Sequence, residues 1–213
     1  SRAMEQFVRV SGIAVPMLEA NIDTDQIIPV PELLRGIREG YGAGLFGNSR
    51  YLDDRVPNPD FILNQEPWRG ATILLADRNF GCGSSREAAP KALRGYGFRS
   101  VIAPSFSGIF YNNCFRNGLL PVELPIEQVR ELAGQMEAAG GHAEVTVDLE
   151  EQVVTAPDGR SFPFKSPALL RKMLLGGMDE IEVTLTMAPR IDEHFAAHRV
   201  RHPWAYQLDS ASA

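Results

Sequence analysis

The feature that most narrows the fold is a stretch in the middle of the chain where strand and helix patterns alternate. Ala71 to Ala76 is a continuous apolar strand, and Ser85 to Arg94 reads as a helix. Ser100 to Pro104 is a second strand, Ser107 to Arg116 a second helix, and Leu119 to Leu124 a third strand. Pro125 then opens a helix with Ile126, Val129, Leu132, Ala133 and Met136 at helical spacing. Strands that stay apolar at successive positions are buried on both faces, and helical crossovers between them put helices there. The expected fold is α/β, a three-layer arrangement with a mostly parallel sheet flanked by helices.

The flanking regions differ. Phe7 to Val15 is apolar enough for a strand, and the turn-prone Asn21-Ile22-Asp23-Thr24-Asp25-Gln26 leads into a helix with Pro31 in its first turn. Residues 39–65 are rich in Gly, Asn, Asp and Pro and show no period, as in a loop that moves or contacts a ligand or partner. Near the C-terminus Glu144 to Leu149 and Gln152 to Thr155 alternate, and Asp158-Gly159 turns into Arg160 to Lys165, giving an antiparallel hairpin. A helix over Ala168 to Leu175 stops at Gly176-Gly177, and another is expected over Ile191 to Val200. Ser1-Arg2-Ala3 ahead of Met4 reads as an expression scar, leaving one expected domain over 4–213.

A net charge of −6 and a pI near 5.3 give no electrostatic reason to expect nucleic acid, so an anionic ligand needs a local cationic site. The two cysteines, Cys82 and Cys114, form no paired framework, which fits a reducing cytoplasm. No apolar run has membrane-spanning length, and no secretory pattern opens the chain.

One turn concentrates chemistry. Strand Ala71–Ala76 runs through Asp77-Arg78-Asn79-Phe80 into Gly81-Cys82-Gly83-Ser84-Ser85-Arg86-Glu87. The glycines permit positive φ and close approach of the backbone to a ligand. A helix start offers free N–H groups to an anion, and Arg86 offers a planar fork for a carboxylate. Ser84-x-x-Glu87 is also a capping box, which would make the serine structural. Pro90 sits badly with a helix capped at Ser84, because it would fall past the first turn.

The Phe80–Glu87 turn, with Asn21-Ile22-Asp23-Thr24-Asp25 upstream, resembles the two motifs of the swivelling domain of the aconitase superfamily. Val101-Ile102-Ala103-Pro104-Ser105-Phe106, Pro57-Asn58-Pro59-Asp60-Phe61 and Leu119-Leu120-Pro121-Val122 are similar to segments of bacterial isopropylmalate dehydratase small subunits. The resemblance runs from about Phe7 to at least residue 190. It implies a hydro-lyase of leucine biosynthesis that converts 2-isopropylmalate to 3-isopropylmalate through isopropylmaleate. Ser84 would be the base, acting as an alkoxide, with Ser85 and Arg86 binding substrate and Thr24, Asp25 and Gly83 lining the site. Arg38 would be a second carboxylate contact or else a solvated arginine on a short helix, and Leu33 or Leu34 would face the isopropyl group.

The family's Lewis acid is an iron of a four-iron, four-sulfur cluster. Holding it takes three protein thiolates even with one iron open, and this chain has two cysteines. The resemblance therefore implies a separate large subunit as partner, carrying the cluster, with no metal held by this chain. Other malate-type hydratases, such as homoaconitase or methylmalate dehydratase, remain open as alternatives. So does a non-catalytic carboxylate- or phosphate-binding module. Where many relatives are expected to carry histidine after the Ser-Ser-Arg-Glu motif, this chain has Ala88.

Two further patterns need placing. His194, His198 and His202 share helical spacing but are flanked by Arg199 and Arg201, which fits a solvated face better than a metal site. Cys114, among Phe110, Tyr111 and Phe115, reads as a buried hydrophobe. The glycine turn lacks a third glycine and the chain lacks a Walker-type lysine, which argues against nucleotide binding.

Overall fold

A computed structural model describes residues 4–179 and 181–185. In chain order it contains β1 (Arg9–Gly12), β2 (Ala14–Met17), α1 (Thr24–Ile27), α2 (Val30–Glu39), α3 (Gly47–Arg50), β3 (Tyr51–Asp53), β4 (Val56–Pro57) and β5 (Ile73–Ala76). There follow α4 (Ala88–Tyr96), β6 (Ser100–Ala103), α5 (Gly108–Arg116), β7 (Leu120–Glu123), α6 (Ile126–Ala138), β8 (Val145–Asp148), β9 (Val153–Thr155), β10 (Ser161–Pro163) and α7 (Ala168–Gly176). The helix expected over 191–200, with His194, His198 and His202, lies outside the described residues.

The alternating middle of the sequence forms the expected parallel sheet, in the order β2-β5-β6-β7. Both faces are buried. Ile73 and Leu75 of β5 join a core with α6, β8, β9 and α7, through residues such as Leu132, Met136, Val147 and Leu174. Leu74 and Ala76, one residue out of phase, join a second core with Ile27, Leu45, Phe46, Ala92 and Leu93. Each edge strand carries a proline, Pro16 on β2 and Pro121 on β7, which offers no N–H to a further neighbour.

The single strand expected over Phe7 to Val15 is two strands in two sheets. β1 pairs antiparallel with β8, completing a sheet of order β1-β8-β9-β10, while β2 pairs parallel with β5. The switch falls at Gly12-Ile13. A Cβ on Gly12 would lie 2.0 Å from the Thr72 hydroxyl, and the Ile13 carbonyl accepts from the amides of Thr72 and Ile73. The expected C-terminal hairpin is thus half of a larger antiparallel sheet closed by the N-terminal strand.

Residues 39–65 are a chain of short elements in place of an unstructured loop. They comprise the end of α2, 3-10 turns at 42–44 and 62–64, α3 and the β3–β4 hairpin. Leu45, Phe46 and Leu63 anchor them in the second core. Arg50 holds the segment from inside, donating to the carbonyls of Gly42, Ala43 and Leu45 and to the Tyr51 hydroxyl. Arg55 donates to the Ala43 carbonyl and to Glu32 of α2, tying the hairpin back to that helix. Hydrogen bonds to backbone carbonyls leave no hydrophobic period, so the sequence pattern could not register this order.

Candidate active site

Three loops leave the C-terminal ends of β2, β5 and β6 side by side, where ligands usually bind in open parallel sheets. They keep pairing after the strands end: Asp23 bridges Cys82 and Phe80 bridges Phe106, both in parallel. The Gly81 amide donates to the Ile22 carbonyl at 2.8 Å, and the Thr24 amide to the Cys82 carbonyl at 2.9 Å. The two sequence motifs, about 60 residues apart (Thr24 and Ser84 are separated by 60), therefore meet through backbone bonds.

Within this junction the Thr24 hydroxyl donates to the Ser84 carbonyl at 2.8 Å and lies 3.3 Å from the Ser84 hydroxyl. Arg86 donates through Nη1 to Asp25 Oδ1 and to the Ile28 carbonyl, each at 3.1 Å. Among the described residues its Nε and Nη2 are unengaged, which leaves the side edge of the guanidinium for a carboxylate. The amides of Ser84 and Ser85 are likewise without a partner among the described residues. Gly81 has φ +78, and a Cβ there would lie 2.2 Å from the Phe110 ring; Gly83 has φ +91.

The capping box expected at Ser84 and Glu87 does not form. Helix α4 starts at Ala88, its N-cap is Glu87, and no side chain caps it. Pro90 is thereby placed in the first turn, where a missing N–H does no harm. A capping box does form in the other motif: the Gln26 amide donates to Asp23 Oδ1 at 2.7 Å and the Asp23 amide to Gln26 Oε1 at 2.9 Å. Ser84 is thus free of a capping role. It is also farther from a helix start than the sequence suggested, so Thr24, Arg86 and the free amides are its polar neighbours. Ala88 is the first residue of α4 and packs against the second core.

A shallow recess of about 20 Å³ is lined by Thr24, Gly81, Gly83, Ser84, Ser85 and Arg86 from the two motifs. That is room for about one water, far below the roughly 300–1,000 Å³ of small-molecule sites, so the recess is a shallow surface feature and not a closed pocket. Asp25 adjoins it through Arg86. Arg38 is exposed in the last turn of α2 and is not among its lining residues, nor are Leu33 and Leu34. The opposite wall, not foreseen from the sequence, is the start of α5: Ser107, Ile109, Phe110 and Asn113. Its signal was the third strand end of the parallel sheet. A larger recess at the C-terminal end of α5, beside Arg116, Met173, Asp179 and Ile181, contains none of these groups.

Cys82 is half-buried within the turn, and Cys114 is fully buried with its thiol pushed well up by burial. A buried thiol that resists ionisation is no cluster ligand, and no group of three or more His, Cys, Asp or Glu side chains among the described residues could hold a metal. The described residues, both cysteines among them, do not fit an iron–sulfur cluster. No helix among the described residues is long and apolar enough to cross a membrane.

Two family models match the chain, the aconitase C-terminal domain over residues 4–127 and LeuD_N over 130–165. The 3-isopropylmalate dehydratase small subunit of Rhodospirillum centenum is 50% identical over 202 residues, 95% of this chain and 99% of that protein. The protein of the same name from Cupriavidus necator is 49% identical over 205 residues, again 95% of this chain and 99% of that one. Among solved structures, 3-isopropylmalate dehydratase from Methanocaldococcus jannaschii aligns with a TM-score of 0.59 at 25% identity, covering 88% of this chain and 99% of that chain.

Proposed function

The chain belongs to the 3-isopropylmalate dehydratase small-subunit family, within the aconitase C-terminal domain fold, and from that premise we propose that its recess is one wall of a shared active site. The reaction is the isomerisation of 2-isopropylmalate to 3-isopropylmalate through isopropylmaleate, a hydro-lyase step of leucine biosynthesis. The wall is completed by a large subunit, which carries a four-iron, four-sulfur cluster; family membership and the unsuitable thiols of this chain support this reading. On that partner, such a cluster would supply Lewis-acid chemistry toward the departing hydroxyl.

The residues of this chain supply the rest. Arg86 grips a substrate carboxylate through its free Nε–Nη2 edge while Asp25 and the Ile28 carbonyl fix the other end of its guanidinium. Ser84, as alkoxide, removes the proton from the carbon beside a carboxylate and returns it when water adds back in the opposite sense. A serine hydroxyl is a poor base in water, and here the unpartnered amides of the turn are the donors left to hold its ionised form, with the Thr24 hydroxyl 3.3 Å away. Ser85 hydrogen-bonds the substrate from the same turn, Gly83 lets the substrate approach the backbone, and Arg38 takes the more distant carboxylate in the assembled pair.

The observation that carries this reading is the convergence of Thr24, Ser84, Ser85 and Arg86 on one recess. The test is turnover by the chain mixed with its cluster-loaded large subunit. Ser84→Ala is expected to lower kcat about 10²–10⁴-fold with little change in KM; undiminished turnover would remove Ser84 from the role of base. Dehydration by the isolated chain without iron would refute the shared site.

A further inference from the structure

We propose that Arg55, at the tip of the β3–β4 hairpin, is a positioning residue for substrate binding, acting by holding the rotation of α2 about its own axis. The role rests on the dehydratase reading above, in which Arg38 of α2 contacts a substrate carboxylate. Helix α2 is turned against its own pattern. Val30, Leu34 and Ile37 share one side of it and are 53%, 73% and 73% exposed. The inward side carries Glu32, Leu33 and the buried Gly36. A helix left to the hydrophobic effect alone would face its aliphatic stripe to the core, so a specific contact must keep the carboxylate inside. Glu32 fits against Gly44 and Gly47, where an added Cβ would come within 2.6 and 3.1 Å of its stem. Its carboxylate is largely buried and paired with Arg55.

Arg55 holds that place in a strained backbone. Asp54 and Arg55 are the two residues between the paired Asp53 and Val56, with φ +34 and +68, as in a type I′ turn. Glycine suits the second of these positions, and an arginine there is strained. Strain of this kind persists only where the surroundings over-determine it, and here the side chain does so. Nη2 donates to Glu32, Nη1 donates to the Ala43 carbonyl, and the guanidinium lies 5.2 Å from the centre of the Tyr51 ring. A second pair between hairpin and helix, Arg35 with Asp54 at 3.6 Å, is exposed at both ends and contributes little. Arg55 thus clasps the hairpin, the 42–44 turn and α2 together. The start of α2 is tied to the site as well, since the carbonyl of Ile28, two residues before Val30, accepts from Arg86. With both ties in place the rotation of α2, and with it the direction of Arg38, is set.

The test replaces Arg55 with glycine, which the turn accepts, so that the clasp is lost and the hairpin kept. In the assembled two-subunit enzyme, with the large subunit saturating, Arg55→Gly is expected to raise KM for isopropylmalate about 10-fold and to change kcat by less than about 3-fold. Hydrogen exchange on the full chain by itself should become faster in α2 and stay unchanged in α4. Arg55→Lys should recover part of the KM loss, since an ammonium keeps the charge but lacks the planar fork that serves Glu32 and the Ala43 carbonyl together. Glu32→Gln should act in the same sense, and the Glu32→Gln, Arg55→Gly double variant should be no worse than the poorer single one. Asp54→Asn, which breaks only the exposed pair, should leave KM within about 2-fold. An unchanged KM in Arg55→Gly, effects that multiply in the double variant, or a KM shift in Asp54→Asn overturns the proposal. So does weaker subunit association with KM intact, which would make α2 a partner contact. If Arg55→Gly does not fold, Glu32→Gln and Arg55→Lys carry the same comparison. A wild-type pair that leaves isopropylmalate untouched refutes the dehydratase reading itself, and the exchange measurement then still decides whether Arg55 holds α2.

Discussion

Ser84 and Arg86 owe their usefulness to the two glycines that precede them. Gly81 combines φ +78 with a place against the Phe110 ring that leaves no room for a Cβ. Gly81→Ala should cost about 2–4 kcal/mol, from the left-handed backbone and the overpacked ring, read as a lowered midpoint in urea. The same substitution should cut turnover, because it separates α5 from the Ser84 turn. The two cysteines differ as sharply. Cys114 is buried and its thiol raised, whereas Cys82 is partly exposed in the turn. Iodoacetamide on the folded chain should therefore modify Cys82 and spare Cys114 until denaturant is added, as peptide mass mapping would report. The two motifs that bring Ser84, Arg86, Thr24 and Asp25 together were legible in the sequence. Their contacts were not, since Arg86 spends one nitrogen on Asp25 and the Ile28 carbonyl, partners about 60 residues away (positions 25 and 28 against 86).

Elements show where local pattern misleads. Ser84-x-x-Glu87 satisfies the capping-box spacing, yet α4 begins at Ala88, because a start at Ser84 would place Pro90 where an N–H is needed. Asp23-x-x-Gln26, a less familiar version of the same spacing, forms the box and fixes a helix of four residues that carries Thr24 and Asp25. So short a helix cannot persist by its own hydrogen bonds, and the cap matters correspondingly more. Asp23→Ala should destabilise the chain by about 0.5–2 kcal/mol. In the assembled enzyme it should also raise KM, since Arg86 loses a fixed Asp25; normal kinetics in the variant would show that the cap is structural only. Residues 39–65 lack any period because arginine side chains and backbone carbonyls organise them, with Arg50 reaching Gly42, Ala43 and Leu45.

At the scale of the whole molecule, the parallel sheet separates two cores that share its strands. Leu74 and Leu75 are adjacent in β5 but serve opposite cores. We propose a single cooperative domain, because neither core can melt without disturbing the strands that also bound the other. Leu74→Ala and Leu75→Ala should each cost about 2–5 kcal/mol and shift one common unfolding transition. Two transitions in calorimetry, each moved by one variant, would divide the chain instead. What the sequence by itself determined was the set of elements with a strong period, the βαβαβ core, and the residue types of the Ser84 turn, because these depend on near neighbours along the chain. The tertiary structure alone decided that β1 and β2 part into different sheets, that α5 closes the recess opposite Ser84, and which capping box forms. Each of those depends on a contact across the chain: Gly12 on Thr72, Phe110 on Gly81, and the Thr24 amide on the Cys82 carbonyl.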